Sequence, residues 1–413
     1  MTTTPTICFY GDDLTGSTDA LANFARWGLH VRMVFDVASV ARIGEGADVV
    51  GIAGRARSLP SSELEAELSP VLASFAALEP EVIQYKVCST FDSSPSVGSI
   101  GRVCELASSL LGRRAIPVLA AQPDLGRFTV YSNHFARAFD GRVYRLDRHP
   151  TVSAHPVTPM READLCRILE EQTSLLRVRG LHLAELNQYP QLSTEHDGPI
   201  VLDALDNADL RQIGRLIRSS RGASPIFGVG SGGLSYALGS TFEREPVALA
   251  PLGAAGAVMA ISGSCSIDTA LQIRAAVSAG WDSVDVVVLG PEAVVDLARA
   301  SLQRGHSVVV HSALGTPPVR SSPHAVASAL SEVAARVLAG TAVRRLLVAG
   351  GDTAGAVMRV LGGDGLEYLG PIGTDCAICE LRSASRELDG LQVVLKGGQV
   401  GGPDFFEQVR LGL

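Results

Sequence analysis

Aromatic residues make up only 5% of this 413-residue chain, and its 35 Lys and Arg are outnumbered by 43 Asp and Glu, for a formal net charge of −8. A protein that tracks nucleic acid needs a broad basic face and, for single strands, aromatic platforms on which bases stack. The composition offers neither, so nucleic acid is excluded as a partner and an anionic ligand requires a local basic pocket. Cysteine is sparse too: seven residues without the spacing of a disulfide framework. The opening Met1-Thr2-Thr3-Thr4-Pro5 has no basic stretch followed by an apolar one. Together these predict a reduced, cytoplasmic protein. Residues 247–267 carry no charge, but Pro251, Gly253, Gly256 and Gly263 interrupt them, which reads as a linker entering a buried strand and not as a membrane span. Cys376 and Cys379 form a lone C-x-x-C with no second pair and no histidine after His324. Zinc needs about four ligands, so no metal site built from a side-chain cluster is expected, only two half-buried thiols.

Internal repeats and low-complexity tracts are absent as well. What the chain has is material for two cores, 46% hydrophobic residues, and apolar runs that alternate with helical patterns nearly end to end. Strands are expected at 6–10, 31–35, 48–53, 82–87, 116–121, 200–203 and 226–229, with hairpin material at 128–147. Residues 242–257, "FEREPVALAPLGAAGA", break the periodicity as a linker does. Beyond it strands are expected at 258–262, 285–289, 307–311, 346–349 and 391–395. Helices are expected at 268–279 and 292–302, and on the stripe Val326, Leu330, Val333, Val337. The fold class is α/β, two domains each with a largely parallel sheet flanked by helices, at 1–245 and 255–413.

Near the start, "ICFYGDDLTGSTD" ends an apolar strand in two adjacent carboxylates, Asp12 and Asp13. Side chains alternate along a strand, so at least one carboxylate faces a loop or crevice. A helix follows, with Thr15, Ser17 or Thr18 available as its cap. "YKVCSTFDSSPSVG" carries Lys86, Ser89, Thr90, Asp92, Ser93 and Ser94 into a helix starting near Pro95, a mixture of donors and acceptors that suits a polyol. Arg148, His149 and His155 lie among prolines and could complete an anion pocket, although each histidine alone fits a scaffold role equally well. In the second half, "VAGGDTAG" presents Gly350, Gly351, Asp352 and Thr353 between a strand and a helix, a cradle for nucleotide phosphate. Read alone, Asp352 or Thr353 could simply cap that helix. "ISGSCS" with Ser262, Gly263, Ser264 and Ser266, and "LKGGQVGG" with Lys396, Gly397, Gly398 and Gly401, repeat the design. No G-x-x-x-x-G-K-[ST] occurs. A G-x-G-x-x-G at Gly228, Gly230 and Gly233 lacks the second strand and acid of a dinucleotide site and reads better as helix–strand packing.

These motifs, in this order, resemble the four-carbon acid sugar kinase family. The carriers are Asp12-Asp13-Leu14-Thr15-Gly16, Lys86 through Ser93, Arg148-His149-Pro150, His155 through Met160, Ser262-Gly263-Ser264, Gly350-Gly351-Asp352-Thr353 and Lys396-Gly397-Gly398. The resemblance implies a sugar-acid-binding N-terminal half and an ATP-binding C-terminal half. It also implies transfer to a terminal hydroxyl of a small sugar acid, such as a four-carbon acid or a branched 3-oxo-isoapionate, with Mg²⁺ arriving through ATP. Asp13 or Asp12 would act as base, the other meeting polyol hydroxyls. The substrate carboxylate would meet Arg57, Lys86 or the 89–94 loop. The family's alanine before the paired acids is Gly11 here, its GGETSG is Gly-Gly-Asp-Thr-Ala-Gly, its KSGNFG is Lys-Gly-Gly-Gln-Val-Gly, and its Gly-Val-Pro pattern is missing from 370–381. Two other readings stand beside this one: an NAD-dependent hydroxy-acid dehydrogenase using Gly228, Gly230 and Gly233, and a non-catalytic sugar-acid-binding protein. The oligomeric state is left open.

Overall fold

Parallel strands need long crossovers, and each crossover here is long enough to hold a helix. The computed structural model describes residues 4–413 except 113, 139, 155–157, 187, 193–195, 223, 243, 245, 248–250, 316–321, 374–375 and 399. The backbone separates into two units, Met1–Val247 and Ala248–Leu413.

The strands of unit 1 are β1 (Ile7–Gly11), β2 (Val31–Val34), β3 (Val49–Ala53), β4 (Val82–Lys86), β5 (Ile116–Leu119), β6 (Arg127–Val130), β7 (Asn133–Arg137), β8 (Val143–Arg145), β9 (Arg179–Leu181), β10 (Pro199–Leu202) and β11 (Ile226–Gly230). Its helices are α1 (Leu14–Ala25), α2 (Val40–Ile43), α3 (Leu64–Ala76), α4 (Ile100–Leu111), α5 (Leu165–Glu170), α6 (Leu183–Leu186), α7 (Asn207–Ser219) and α8 (Gly232–Gly239). Eight strands run parallel in the order β2-β3-β1-β4-β11-β5-β10-β9. Every residue of β1, β4 and β11 is buried, the signature of central strands covered on both faces. Strands β6, β7 and β8 form a separate antiparallel sheet, so the hairpin material at 128–147 contains a third strand.

Unit 2 holds β12 (Met259–Ser262), β13 (Asp282–Asp285), β14 (Val308–His311), β15 (Arg345–Ala349), β16 (Gly363–Ile372), β17 (Cys376–Ser383) and β18 (Gln392–Lys396). Its helices are α9 (Ile267–Ser278), α10 (Val286–Leu289), α11 (Pro291–Gln303), α12 (Pro323–Leu338), α13 (Gly351–Val360) and α14 (Phe405–Leu411). The order is β13-β14-β12-β15-β18-β17-β16, parallel as far as β18 and antiparallel through β17 and β16. In both units the parallel strands end on one edge of the sheet, where ligands of open α/β sheets collect.

Four sequence expectations are corrected. The strand expected at 285–289 is β13 three residues earlier, because the Asp285 carboxylate accepts the N–H groups of Val287 and Val288 and turns 286–289 into α10. Helix α1 begins at Leu14, capped by Asp13 and not by Thr15, Ser17 or Thr18. Helix α4 begins at Ile100, not near Pro95: Ser94 Oγ accepts the Val97 N–H, and Ser99 caps the helix. The long β16–β17 hairpin, at 363–383, has no counterpart in the sequence reading. Cys376 and Cys379 are three apart on β17 and so point to opposite faces; Cys379 is buried and Cys376 partly so. Among the described residues no helix is long and apolar enough to cross a membrane, and residues 259–262 of the uncharged run are β12.

Arg345, at the start of β15, is fully buried and meets no carboxylate among the described residues. Its guanidinium donates to Gln392 Oε1 (2.8 Å), the Val409 carbonyl (2.6 Å) and the Gly253 carbonyl (3.1 Å). It thereby fastens residue 253 and the end of α14 to the sheet. Arg345→Met leaves these acceptors unpaired in the interior, and each costs roughly 1–3 kcal/mol. The expected outcome is a loss of about 3 kcal/mol or more in unit 2, read from urea unfolding by Trp281 fluorescence in a Trp27→Phe background. An unchanged midpoint would contradict it.

Candidate active site

Backbone hydrogen bonds lace together the ends of three neighbouring strands of unit 1. Gly54 N–H donates to the Gly11 carbonyl (2.8 Å), Arg57 N–H to the Asp12 carbonyl (3.1 Å) and Asp12 N–H to the Lys86 carbonyl (3.0 Å). The lacing delivers Arg57, in a short 3₁₀ turn after β3, directly over the paired acids. Its Nη2 donates to Asp12 Oδ1 (2.7 Å) and Asp13 Oδ1 (3.0 Å), Nε to Asp12 Oδ2 (3.2 Å) and Nη1 to Asp13 Oδ2 (3.0 Å). Two glycines make room. A Cβ at Gly16 would collide with Asp13 Oδ1, and one at Gly98, where φ is +60°, would press on the Arg57 carbonyl.

The two carboxylates are inequivalent. Asp12 is 3% exposed and each of its oxygens accepts from Arg57, as do both oxygens of Asp13, so burial and not the shared guanidinium is what sets Asp12 apart. Burial raises its pKa, and Arg57 offsets this only in part against Asp13. Asp13 is 24% exposed. Burial pushes its pKa upward too, but Arg57, Lys86, the Thr15 hydroxyl (2.9 Å) and the Gly16 N–H (2.7 Å) outweigh that and hold it below the usual carboxylate range. At neutral pH Asp13 is therefore an ionised, reachable carboxylate. Lys86 is buried and donates to the Val87 carbonyl (2.9 Å) and to Asp19 Oδ2 (3.1 Å). Asp19 in turn accepts from Asn23 (2.9 Å) and Gln122 (2.9 Å). Asp19 and Gln122 were not singled out from the sequence, although Asp19 stands one helical turn beyond Thr15, on the face that α1 turns toward the site.

Of the other predicted residues, Thr90 Oγ1 donates to Asp92 Oδ1 (2.9 Å) and contacts Cys88 Sγ (2.9 Å). The charges of Asp92 and Arg57 both act on that thiol, which burial pushes up to about 11. Ser89 offers its carbonyl to His134 Nε2 (2.8 Å). Ser93 Oγ lies between the Phe91 carbonyl and the Gln172 amide, and His149 Nδ1 accepts from the backbone of Thr151 and Val152. His155 lies outside the described residues. Gly230 and Gly233 are packing glycines, since a Cβ would strike the carbonyls of Leu119 and Ala121.

Unit 2 laces its strand ends in the same way: Gly263 N–H donates to the Ala349 carbonyl (3.1 Å) and Gly350 N–H to the Lys396 carbonyl (3.0 Å). This brings the three Gly/Ser-rich loops together. A Cβ at Gly350 would lie 3.3 Å from Ser264 N, and one at Gly398 would lie 2.8 Å from Ser264 Oγ. Among the described residues no side chain caps α13, neither Asp352 nor Thr353, and a Cβ at Gly351 in its first turn would meet nothing within 4 Å. Ser262 Oγ is buried without a hydrogen-bond partner among the described residues. Gly397 and Gly398 lead the third loop away from Lys396, whose ammonium is fully buried and donates to Thr269 Oγ1 (3.1 Å). Burial pulls the Lys396 pKa down to about 8, against the influence of Cys376 and Asp268. An uncapped helix start, an orphaned hydroxyl and a buried cation fit a nucleotide triphosphate. Among the described residues no group of three or more His, Cys, Asp or Glu is placed to hold a metal.

Residues 7–238 match the model of a sugar-binding N-terminal domain and residues 259–406 that of a nucleotide-binding C-terminal domain. The chain is 39% identical to a 3-oxo-isoapionate kinase of Paraburkholderia graminis, over 98% of this chain and 94% of that one. It is 31% identical to a 3-oxo-tetronate kinase of Cupriavidus necator (98% and 96%) and 30% identical to one of Methylobacterium radiotolerans (96% and 96%). A crystal structure from Salmonella typhimurium LT2 shares the fold with TM-score 0.80 at 24% identity, covering 98% of both chains. So does Haemophilus influenzae protein HI1011, with TM-score 0.72 at 21% identity, covering 97% of this chain and 98% of that one.

Two expected outcomes follow from the electrostatics. Arg57→Met leaves two buried carboxylates facing each other and costs about 3–5 kcal/mol at pH 7. The loss shrinks as acid protonates them. In the wild type the stabilising share of Asp13, whose folded pKa is lowered, is present above its unfolded pKa and disappears only as pH falls through the lower folded value. Urea unfolding at pH 7 and pH 5 checks this, and an equal loss at both would contradict it. In unit 2, nucleotide affinity should be highest below pH 8 and fall as pH rises past it, with proton uptake on binding, because Lys396 must be cationic to attract a triphosphate. Calorimetry from pH 7 to 9 in buffers of different ionisation enthalpy reads both effects, and Lys396→Met should abolish them.

Proposed function

The chain belongs to the family that joins a sugar-binding N-terminal domain to a nucleotide-binding C-terminal domain, and from that premise we infer that it is an ATP-dependent kinase of a small sugar acid. The single observation that carries the chemistry is the asymmetry of the adjacent carboxylates: Asp13 ionised and reachable, Asp12 buried and committed to Arg57. In this reading unit 1 binds the acceptor, a four-carbon or branched five-carbon sugar acid with a terminal hydroxyl. Thr90 and Asp92 supply acceptors and donors for its hydroxyls, and Arg57 and Lys86 supply the positive potential for its carboxylate. Asp13 orients the attacking hydroxyl and takes its proton as the oxygen–phosphorus bond forms and ADP departs. Asp12 acts through Arg57, holding the guanidinium against Asp13.

Unit 2 binds ATP in this reading. Ser262, Ser264 and the N–H groups at Gly350, Gly351, Asp352 and Thr353 would hold the phosphates, with Gly397 and Gly398 closing the loop and Lys396 adding charge from beneath. A magnesium ion would arrive on the triphosphate, held through its phosphates, and would supply charge neutralisation for the transferring phosphoryl group. A dinucleotide site is not favoured, because Gly230 and Gly233 are filled by their own neighbours.

Asp13→Asn preserves the acceptor that caps α1 but removes the charge, so turnover should fall about 10²-fold or more while ATP affinity stays unchanged. An ADP-release assay across 3-oxo-isoapionate, 3-oxo-tetronates, threonate and erythronate, with calorimetry for ATP, checks both. A loss of only a few-fold would remove Asp13 as the base, and no ADP release with any acid would overturn the kinase reading.

A further inference from the structure

Gly232 opens α8, and the nearest atoms to a Cβ built there are all polar side-chain ends: Asp19 Oδ2 at 2.4 Å, Gln122 Nε2 at 2.6 Å and Asn23 Nδ2 at 2.7 Å. Gly230 and Gly233 press on backbone carbonyls instead, so the glycine at 232 is the one that leaves room for this cluster. The cluster adjoins the paired acids. Asp13 Oδ1 and Lys86 Nζ would both lie against a Cβ at Gly16 (2.4 and 3.5 Å), and the same ammonium is 3.1 Å from Asp19 Oδ2. A single lysine head thus stands between Asp13 and Asp19. Strands β1, β4 and β11 are consecutive in the sheet, which puts Gly232 two strand spacings from Asp13, about 10 Å. A four-carbon acid covers that length once a hydrogen bond is added at each end.

The donors and acceptors of the cluster do not cancel. Asp19 has about four acceptor positions and, among the described residues, three side-chain donors: Asn23 and Gln122 on Oδ1 and Lys86 on Oδ2. One position on Oδ2 stays open, on a carboxylate that is 25% exposed. Gln122 is 5% exposed, yet its Oε1 is buried without a hydrogen-bond partner among the described residues. Lys86 has three N–H donors and directs two of them, at the Val87 carbonyl and Asp19. The Gly232 N–H, at the positive end of α8, has no acceptor among the described residues. Open acceptors beside open donors match groups that both give and take a hydrogen bond, as vicinal hydroxyls do, or a hydroxyl beside an oxo group. A carboxylate fits poorly here, because Asp19 and Gln122 Oε1 would repel it.

We propose that Asp19, Gln122 and the Gly232 N–H form a subsite for the interior oxygens of the sugar acid, those between its carboxylate and the hydroxyl that Asp13 serves. Asp19 Oδ2 and Gln122 Oε1 accept from a hydroxyl, and the Gly232 N–H and the third N–H of Lys86 donate to the neighbouring oxygen. The subsite rests on the kinase reading and adds the residues that tell a polyol acid from a plain hydroxy acid. The probe is 4-hydroxybutyrate, a four-carbon acid with a terminal hydroxyl and no interior oxygen, measured as a competitive inhibitor. In the wild type its Ki should exceed the KM of the best sugar acid by about 10²-fold or more, because it leaves the open polar groups unpaired. Gln122→Met and Asp19→Asn should each raise KM for the sugar acid about fivefold or more, leave KM for ATP unchanged and hold the Ki of 4-hydroxybutyrate within about twofold. A purely structural defect would weaken both acids alike and keep their ratio. Equal affinity of the wild type for both acids, or folded variants with the wild-type ratio, would overturn the subsite and leave the kinase reading standing. A wild-type enzyme releasing no ADP with any acid in the panel would overturn both.

Discussion

One guanidinium shared between two consecutive carboxylates is the constraint on which the first unit's site depends. Adjacent aspartates at a buried strand end cannot both ionise unless a cation lies against both, and Arg57 meets that need with four hydrogen bonds. The surrounding architecture follows from delivering it there. The Tyr10 hydroxyl accepts the Arg55 N–H and donates to Glu67, shaping the turn that carries Arg57, and Gly16 and Gly98 clear the space beside it. Sharing also breaks the symmetry of the pair, because Asp13 has additional donors from its own helix cap and Asp12 has none among the described residues. Two identical side chains thereby acquire different protonation behaviour from one residue's difference in position.

The two units approach charged ligands by different physical means. Unit 1 works with formal charges arranged in compensating sets, Arg57 against two aspartates and Lys86 against Asp19. Unit 2 works chiefly with uncompensated backbone dipoles at an uncapped helix, supplemented by a single buried ammonium that has a hydroxyl and not a carboxylate for company. The first arrangement leaves no bare ion before a ligand arrives. The second is incomplete until an anion arrives, which suits a site for polyphosphate.

Much of this was legible in the sequence because it is written locally. Alternation of apolar runs and helical stripes located nearly all the parallel strands, and the abrupt ending of a strand in Asp12-Asp13, or in Gly350-Gly351, marks a loop on the ligand-bearing edge. What escaped the sequence is tertiary or competitive. Asp13 won the cap of α1 from three hydroxyl residues because its carboxylate was already fixed by Arg57, 44 positions away. The β16–β17 hairpin has irregular alternation, broken by two register shifts, so neither period stands out. Asp285 ended a valine-rich run that propensity alone assigns to a strand. The links of His134 to Ser89 and of Asp203 to Tyr131 join segments 45 and 72 residues apart, and no local pattern announces them.

The clasp at Arg345 bears on the order in which the molecule can be made. Strand β15 lies in the middle of its sheet, yet one neighbour, β18, and the α14 carbonyl that receives its guanidinium follow much later in the chain, the latter 64 residues downstream. At translation rates of about 5–20 residues per second, several seconds pass in which β15 offers an open edge and an ion without its acceptors. Unit 1 meets a similar delay at β11, which inserts between β4 and β5 after both have emerged. A nascent chain of this kind therefore exposes unpaired strand edges during synthesis, and its demand for chaperone protection is set by strand order more than by the stability of the finished fold.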